Sequence, residues 1–172
     1  MRPAWDDYFL RYAYLAATRA TCPRRHVGAV IVDPEHRVVA TGYNGAPPGV
    51  VSCDEAGECQ IVDGHCIRTL HAESNALDYA GTRLARNCTL YATITPCWDC
   101  AKRIIGAGIV RVVYDEHYES RYGKSGTVPE FLTQHGVEVE RFEAQRMAKF
   151  KELLKTRRMA KFKELLKALE QG

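Results

Sequence analysis

Three side chains that bind soft metals, His71, Cys97 and Cys100, stand at the heads of two segments with helical character. This arrangement constrains the fold more than any other feature of the chain. Cys97 and Cys100 are three positions apart and follow Pro96, so they share one face of a first helical turn. The positive end of that helix favours thiolate over thiol. His71 opens the other helix. If one ion takes all three side chains, the two helix starts must meet in space. One histidine and two thiolates leave the fourth tetrahedral position open, as a catalytic zinc requires. Glu73 follows His71 by two residues. In mid-helix the pair would point apart, but in a first turn both reach one pocket. Glu73 then sits beside a water rather than on the metal. There a carboxylate can take a proton from the water and hand it to a leaving amine. An ion in such a site lowers the pKa of its water towards neutrality. A bare C-x-x-C would also suit a structural zinc knot; it is the nearby His-Ala-Glu that favours catalysis.

Around these residues the chain alternates helix and strand. Residues 5–19 read as an amphipathic helix. The apolar, β-branched runs 27–33 and 37–43 flank a turn-like Asp33-Pro34-Glu35-His36, which predicts a hairpin. Residues 44–70 contain Gly45, Gly49, Gly57 and Gly64 with Pro47 and Pro48 and show no clean period, so a long irregular loop is expected there. A helix over 71–80, a strand over 88–94, a helix from Pro96 to about 106 and a strand over 109–115 follow. Pro96 is expected in the first turn of its helix. A short helix over 128–136 and a strand over 137–142 complete the pattern. Helices and strands in this order predict an α/β layered domain with a mixed sheet.

Charge separates a main domain, residues 1–145, from a tail, residues 146–172. The tail holds nine Lys/Arg against three Glu, whereas the main domain holds 15 Lys/Arg against 18 Asp/Glu. The net charge of +3 therefore comes from the tail, and the main domain lacks the broad basic surface that nucleic acid requires. The segment RMAKFKELLK occurs identically at 146–155 and 158–167, with Met, Phe and Leu at helical spacing, and predicts a basic amphipathic helix. No apolar run approaches the roughly 20 residues of a membrane span. The acidic, amphipathic start of the chain does not read as a signal peptide. A cytoplasmic location is expected. In a reducing compartment the seven cysteines suggest metal ligation rather than disulfides.

Four further segments, CPRRHVGAVIVD, ATGYNGAPPG, GHCIRTLHAESNAL and TPCWDCAKRIIGAGIVRVVY, complete a recognisable pattern. The combination H-x-E…P-C-x-x-C is the signature of zinc nucleobase deaminases. Over residues 5–142 the chain resembles the deoxycytidylate (dCMP) deaminase family of the cytidine deaminase-like superfamily. The resemblance implies a three-layer α/β/α fold with a mixed five-stranded sheet, and zinc-dependent hydrolysis of dCMP to dUMP and ammonia, which supplies dUMP for thymidylate synthesis. It implies that Glu73 is the catalytic acid–base and that the base enters beside the zinc over Ala72. It also places Asn44 near the sugar and Tyr118 at the phosphate, with Arg24 as a further phosphate contact. Asn44 also reads as a turn residue before Gly45, and Tyr118 as a half-buried aromatic. Family members often form homo-oligomers and respond to dCTP and dTTP, with Mg2+ involved only if such an effector binds.

Some deoxycytidylate deaminases also carry a structural zinc. Cys22, Cys53, Cys59 and Cys66 are the expected ligands here, with His65 as a substitute for one thiol, and such an ion would tie the 44–70 loop to the core. Free buried thiols are the alternative. Arg68 and Thr69 lie between the two expected metals and read equally as entrance or surface residues. Cys88 opens an apolar strand as a core thiol. Two other functions fit the same residues: base deamination in tRNA or single-stranded DNA, and zinc binding without catalysis.

Overall fold

In a computed structural model of the chain, residues 2–117, 127–142 and 150–152 are described. The chain divides into two units, residues 1–142 and 143–172. Tyr118 and nearly all of the duplicated tail lie outside the described residues. Within the first unit, α1 (Trp5–Ala17) leads into β1 (Gly28–Val32) and β2 (Val38–Tyr43). A short α2 (Cys53–Ala56) and two-residue strands β3 (Ile61–Val62) and β4 (His65–Cys66) follow. Then come α3 (Ala72–Ala85), β5 (Thr89–Ile94), α4 (Trp98–Ala107), β6 (Arg111–Glu116), α5 (Val128–Gln134) and β7 (Glu138–Arg141).

The main sheet has five strands in the order β2-β1-β5-β6-β7. Strand β1 pairs antiparallel with both β2 and β5, while β5–β6 and β6–β7 are parallel. The sheet is therefore mixed, as expected. All five residues of β1 are buried, because helices cover both faces. Helix α1 packs on one face through Phe9, Leu10 and Ala13; α3, α4 and α5 pack on the other around Ile31, Leu90, Ile104, Val112 and Leu132. This is the three-layer α/β/α arrangement.

Two glycines set how closely the helices approach. A Cβ on Gly28 would stand 1.9 Å from Ala13 O in α1, and one on Gly42 would stand 2.2 Å from Ala72 O in α3. Both helices thus rest directly on sheet backbone. Arg111 fastens α1 to the far edge: its guanidinium is paired with Asp6 at 2.8 Å and also meets Glu138 and Glu140 of β7.

Two expectations are corrected. The 44–70 segment is not wholly irregular, since it holds α2, closed by a Ser52–Glu55 capping box, and the β3–β4 hairpin. Elements of two to four residues leave no periodicity to read. Pro96 does not occupy the first turn of α4: Cys97 is the N-cap and its sulfur accepts from the Cys100 amide, so the proline lies one residue outside the helix.

Candidate active site

The helices α3 and α4 begin close together, α3 after the β3–β4 hairpin and α4 after the central strand β5. His71 is the N-cap of α3 and Cys97 the N-cap of α4. Their positions are fixed from behind. Leu70 and Gly45 exchange backbone hydrogen bonds at 2.9 and 3.2 Å, which locks the residue before His71 to the end of β2. Thr95 donates its amide to Glu116 O at 2.8 Å, anchoring the turn that leads into Pro96.

The resulting cluster is compact. His71 Nδ1 lies 3.3 Å from Cys97 Sγ and 3.6 Å from Cys100 Sγ, and the three ligand atoms all fall within 4.8 Å of one another. Zinc–sulfur and zinc–nitrogen bonds of about 2.3 and 2.05 Å at a tetrahedral angle place nitrogen about 3.6 Å from sulfur. The donor set therefore fits zinc in type and in spacing. Electrostatics point the same way. The Cys97 thiol is drawn down to about 4, first by the hydrogen bond with Cys100 and then by the bond with His71. The Cys97 sulfur in turn holds the His71 imidazolium up to about 9. Cys100 is shifted upward by its bond with Cys97 and by burial.

Glu73 is buried, at 3% exposure, beside this cluster. Burial pushes its carboxyl up to about 7, and the Cys97 charge adds to the shift, while the His71 ring opposes it. A carboxyl poised there can both accept and donate a proton near neutrality.

The cluster forms one wall of a cleft of about 580 Å³. Of the expected substrate contacts, Asn44, Ala72 and Arg24 line it. Asn44 is buried and structural as well: its Oδ1 accepts from Val27 N at 2.7 Å and its Nδ2 donates to Arg25 O at 2.8 Å. Arg24 reaches across to Gly64 O at 3.4 Å. Thr69 also lines the cleft, whereas Arg68 turns to Glu58 O on the surface. Arg25, Ile94, Thr95, Trp98 and Asp99 also line the cleft and were not singled out from the sequence. Arg25, ion-paired with Glu116 at 3.5 Å, could have been suspected from its place beside Arg24. Trp98, seated edge-on against Phe131, reads as an ordinary core aromatic until the cleft is seen.

A second cluster lies at the cleft's outer side. Cys53, Cys59 and Cys66 place their sulfurs within 4.8 Å of one another, with Cys53 and Cys66 3.5 Å apart. Cys59 also interacts with the buried Cys22. Burial raises the Cys66 thiol, but bonds from Thr69, Arg68 and Cys53 outweigh it and leave it at about 7. His65 lies outside this group, exposed and facing the cleft. Its ring is not among the side chains that converge with Cys53, Cys59 and Cys66. Cys88 is a core thiol bonded to Leu84 O. No helix of the described residues is long and apolar enough to cross a membrane.

Fold and donor set together define the class: an α/β/α domain in which a zinc-type donor set, His71, Cys97 and Cys100, opens with the Glu73 carboxylate onto one cleft. The family model for the cytidine and deoxycytidylate deaminase zinc-binding region matches residues 3–116, and the chain belongs to that family. The deoxycytidylate deaminase of Saccharomyces cerevisiae is 47% identical over 124 residues, which cover 69% of this chain and 39% of the yeast protein. ComE operon protein 2 of Bacillus subtilis is 41% identical over 149 residues, 85% of this chain and 75% of that protein. The crystal structure of dCMP deaminase from the cyanophage S-TIM5, in complex with dCMP and dUMP, superimposes with a TM-score of 0.68 at 32% identity, covering 83% of this chain and 99% of that one.

Proposed function

We propose that this chain hydrolyses dCMP to dUMP and ammonia and so supplies dUMP for thymidylate synthesis. The observation that carries the reading is the convergence of His71, Cys97 and Cys100 within 4.8 Å, next to a buried carboxylate. The relatives named for this activity support the nucleotide substrate over a base in nucleic acid.

His71, Cys97 and Cys100 would hold the catalytic zinc. When bound there, zinc supplies Lewis acidity that makes a water ligand a nucleophile near neutral pH. Glu73 accepts the proton that the attacking water loses as its oxygen adds to C4 of the cytosine. The carboxyl passes that proton to N3, then carries the remaining proton of the added hydroxyl to the 4-amino nitrogen, and ammonia leaves as the C4 carbonyl of dUMP forms. Burial serves both steps, because a carboxyl near pKa 7 gives and takes protons with little bias. Ala72 forms part of the floor under the base. Asn44 stiffens the 25–27 segment and presents its amide to the sugar. Arg24 and Arg25, which line the cleft, supply positive charge for the 5′-phosphate, and Tyr118, outside the described residues, is the further phosphate contact that the family resemblance implies. Cys22, Cys53, Cys59 and Cys66 would hold a structural zinc.

The remaining parts of the reading are a homo-oligomer, control by dCTP and dTTP with Mg2+ accompanying the effector, and a cytoplasmic setting that keeps the thiols reduced. The test is turnover of dCMP, deoxycytidine and a cytosine-containing single-stranded DNA by purified protein. Ammonia and dUMP from dCMP, with the other two turned over far more slowly, are expected. Consumption of the nucleoside or the DNA with dCMP untouched would refute the nucleotide assignment.

A further inference from the structure

The first turn of α3 carries a second side chain aimed at the metal cluster. Ser74 follows Glu73, is buried at 8% exposure, and places its hydroxyl 3.6 Å from Cys100 Sγ on the neighbouring helix. At this helix position a serine could serve its own backbone. Here its hydroxyl faces the Cys100 sulfur across to the next helix. Cys97, by contrast, receives its hydrogen bond from the backbone, from the Cys100 amide at 3.5 Å.

We propose that Ser74 is a positioning residue, whose hydroxyl donates to the Cys100 thiolate and limits how much charge that sulfur gives to the bound metal. When Cys100 ligates a metal it is a thiolate with no hydrogen, so the hydroxyl is then the donor. A hydrogen-bonded thiolate is a weaker electron donor, which keeps the ion more electrophilic, and partners of this kind tune metal sites from outside the ligand set. The inference rests on the zinc-deaminase reading above and deepens it: α3 supplies a ligand, the proton-transfer carboxylate and a control on the opposite ligand within four consecutive residues, His71 to Ser74.

The test is cobalt(II) substitution of the purified protein and of S74A, S74C and S74T, read by the sulfur-to-cobalt charge-transfer band and by dCMP turnover. Without the hydroxyl the sulfur electrons lie higher, so S74A is expected to shift the band to longer wavelength and slow turnover about tenfold. S74T, which keeps a hydroxyl, restores both. S74C, with a weaker donor, falls between and supplies the comparison if S74A does not fold. A wild-type band in S74A and S74C overturns the assignment, whatever their activity, because packing alone would leave the sulfur electrons unchanged. Wild-type protein that shows the band yet leaves dCMP intact counts against the deaminase reading instead, and the band shift still decides the role of Ser74.

Discussion

His71 Nδ1 lies 3.3 Å from Cys97 Sγ, although the two are 26 residues apart in sequence. Each caps a helix, and the contact brings the positive ends of both helices to one point. That point favours thiolates, and with them a divalent cation. Replacing Cys97 by Ser is therefore expected to remove one zinc per chain and abolish deamination while leaving the thermal transition in place. Elemental analysis by mass spectrometry, paired with an ammonia assay, checks this. Full zinc content in C97S would refute the ligand assignment.

The outer thiol cluster has a separate signature. C66S is expected to lose a different zinc, so wild-type protein should hold two per chain and C66S one. The 44–70 segment should become the first site of proteolysis, because its two-residue strands bury little without the ion. A wild type with one zinc, and a C66S protein with the same one, would leave Cys53, Cys59 and Cys66 as plain thiols.

The two close-approach glycines should differ in effect. G28A and G42A each force a methyl into helix backbone, at a cost of about 1–3 kcal/mol or more. G28A displaces α1, which carries none of the proposed chemistry. G42A displaces the start of α3, where its Cβ would lie 2.2 Å from Ala72 O, and so moves His71 and Glu73. Both should lower the denaturant midpoint, but only G42A should also lower kcat of the folded fraction. Equal kcat in the two variants would contradict the close seating of α3.

Acid stability should report the Asp6–Arg111 pair. The Arg111 hydrogen bonds hold the Asp6 carboxyl below the usual carboxylate range, with Tyr91 adding and burial opposing. A carboxyl depressed in the folded state stabilises above its unfolded pKa, about 3.9, and that contribution is lost as pH falls through the folded value. The melting temperature of D6N should therefore lie below that of the wild type at pH 6, and the gap should close as pH falls towards 3. A gap that stays constant with pH would mean that the pair contributes nothing through charge.

Much of this was legible in the sequence, for identifiable reasons. Strands β1, β2, β5 and β6 are apolar, β-branched runs, and α1 and α4 carry helical spacing, so pattern alone placed them. The proposed metal cluster was legible because its residues are few, chemically distinctive and set at helix starts. What escaped depended on direction in space. The sequence allowed His65 as a ligand, and only the fold shows it lining the cleft beside Cys66 while the three thiols converge. Asn44 lines the cleft where the sugar is proposed, and nothing in one dimension showed that its amide also bonds Arg25 and Val27. Arg25 and Ser74 carry no motif of their own and acquire meaning only from what they face.

The central claim is that Glu73 moves the proton for a reaction at the His71–Cys97–Cys100 metal. The most direct measurement is steady-state dCMP turnover by wild type and E73Q at matched zinc content. The account predicts full zinc in both proteins, one ammonia per dUMP in the wild type, and a fall in kcat of about 100-fold or more in E73Q. E73Q that carries zinc and turns over dCMP at the wild-type rate would contradict it.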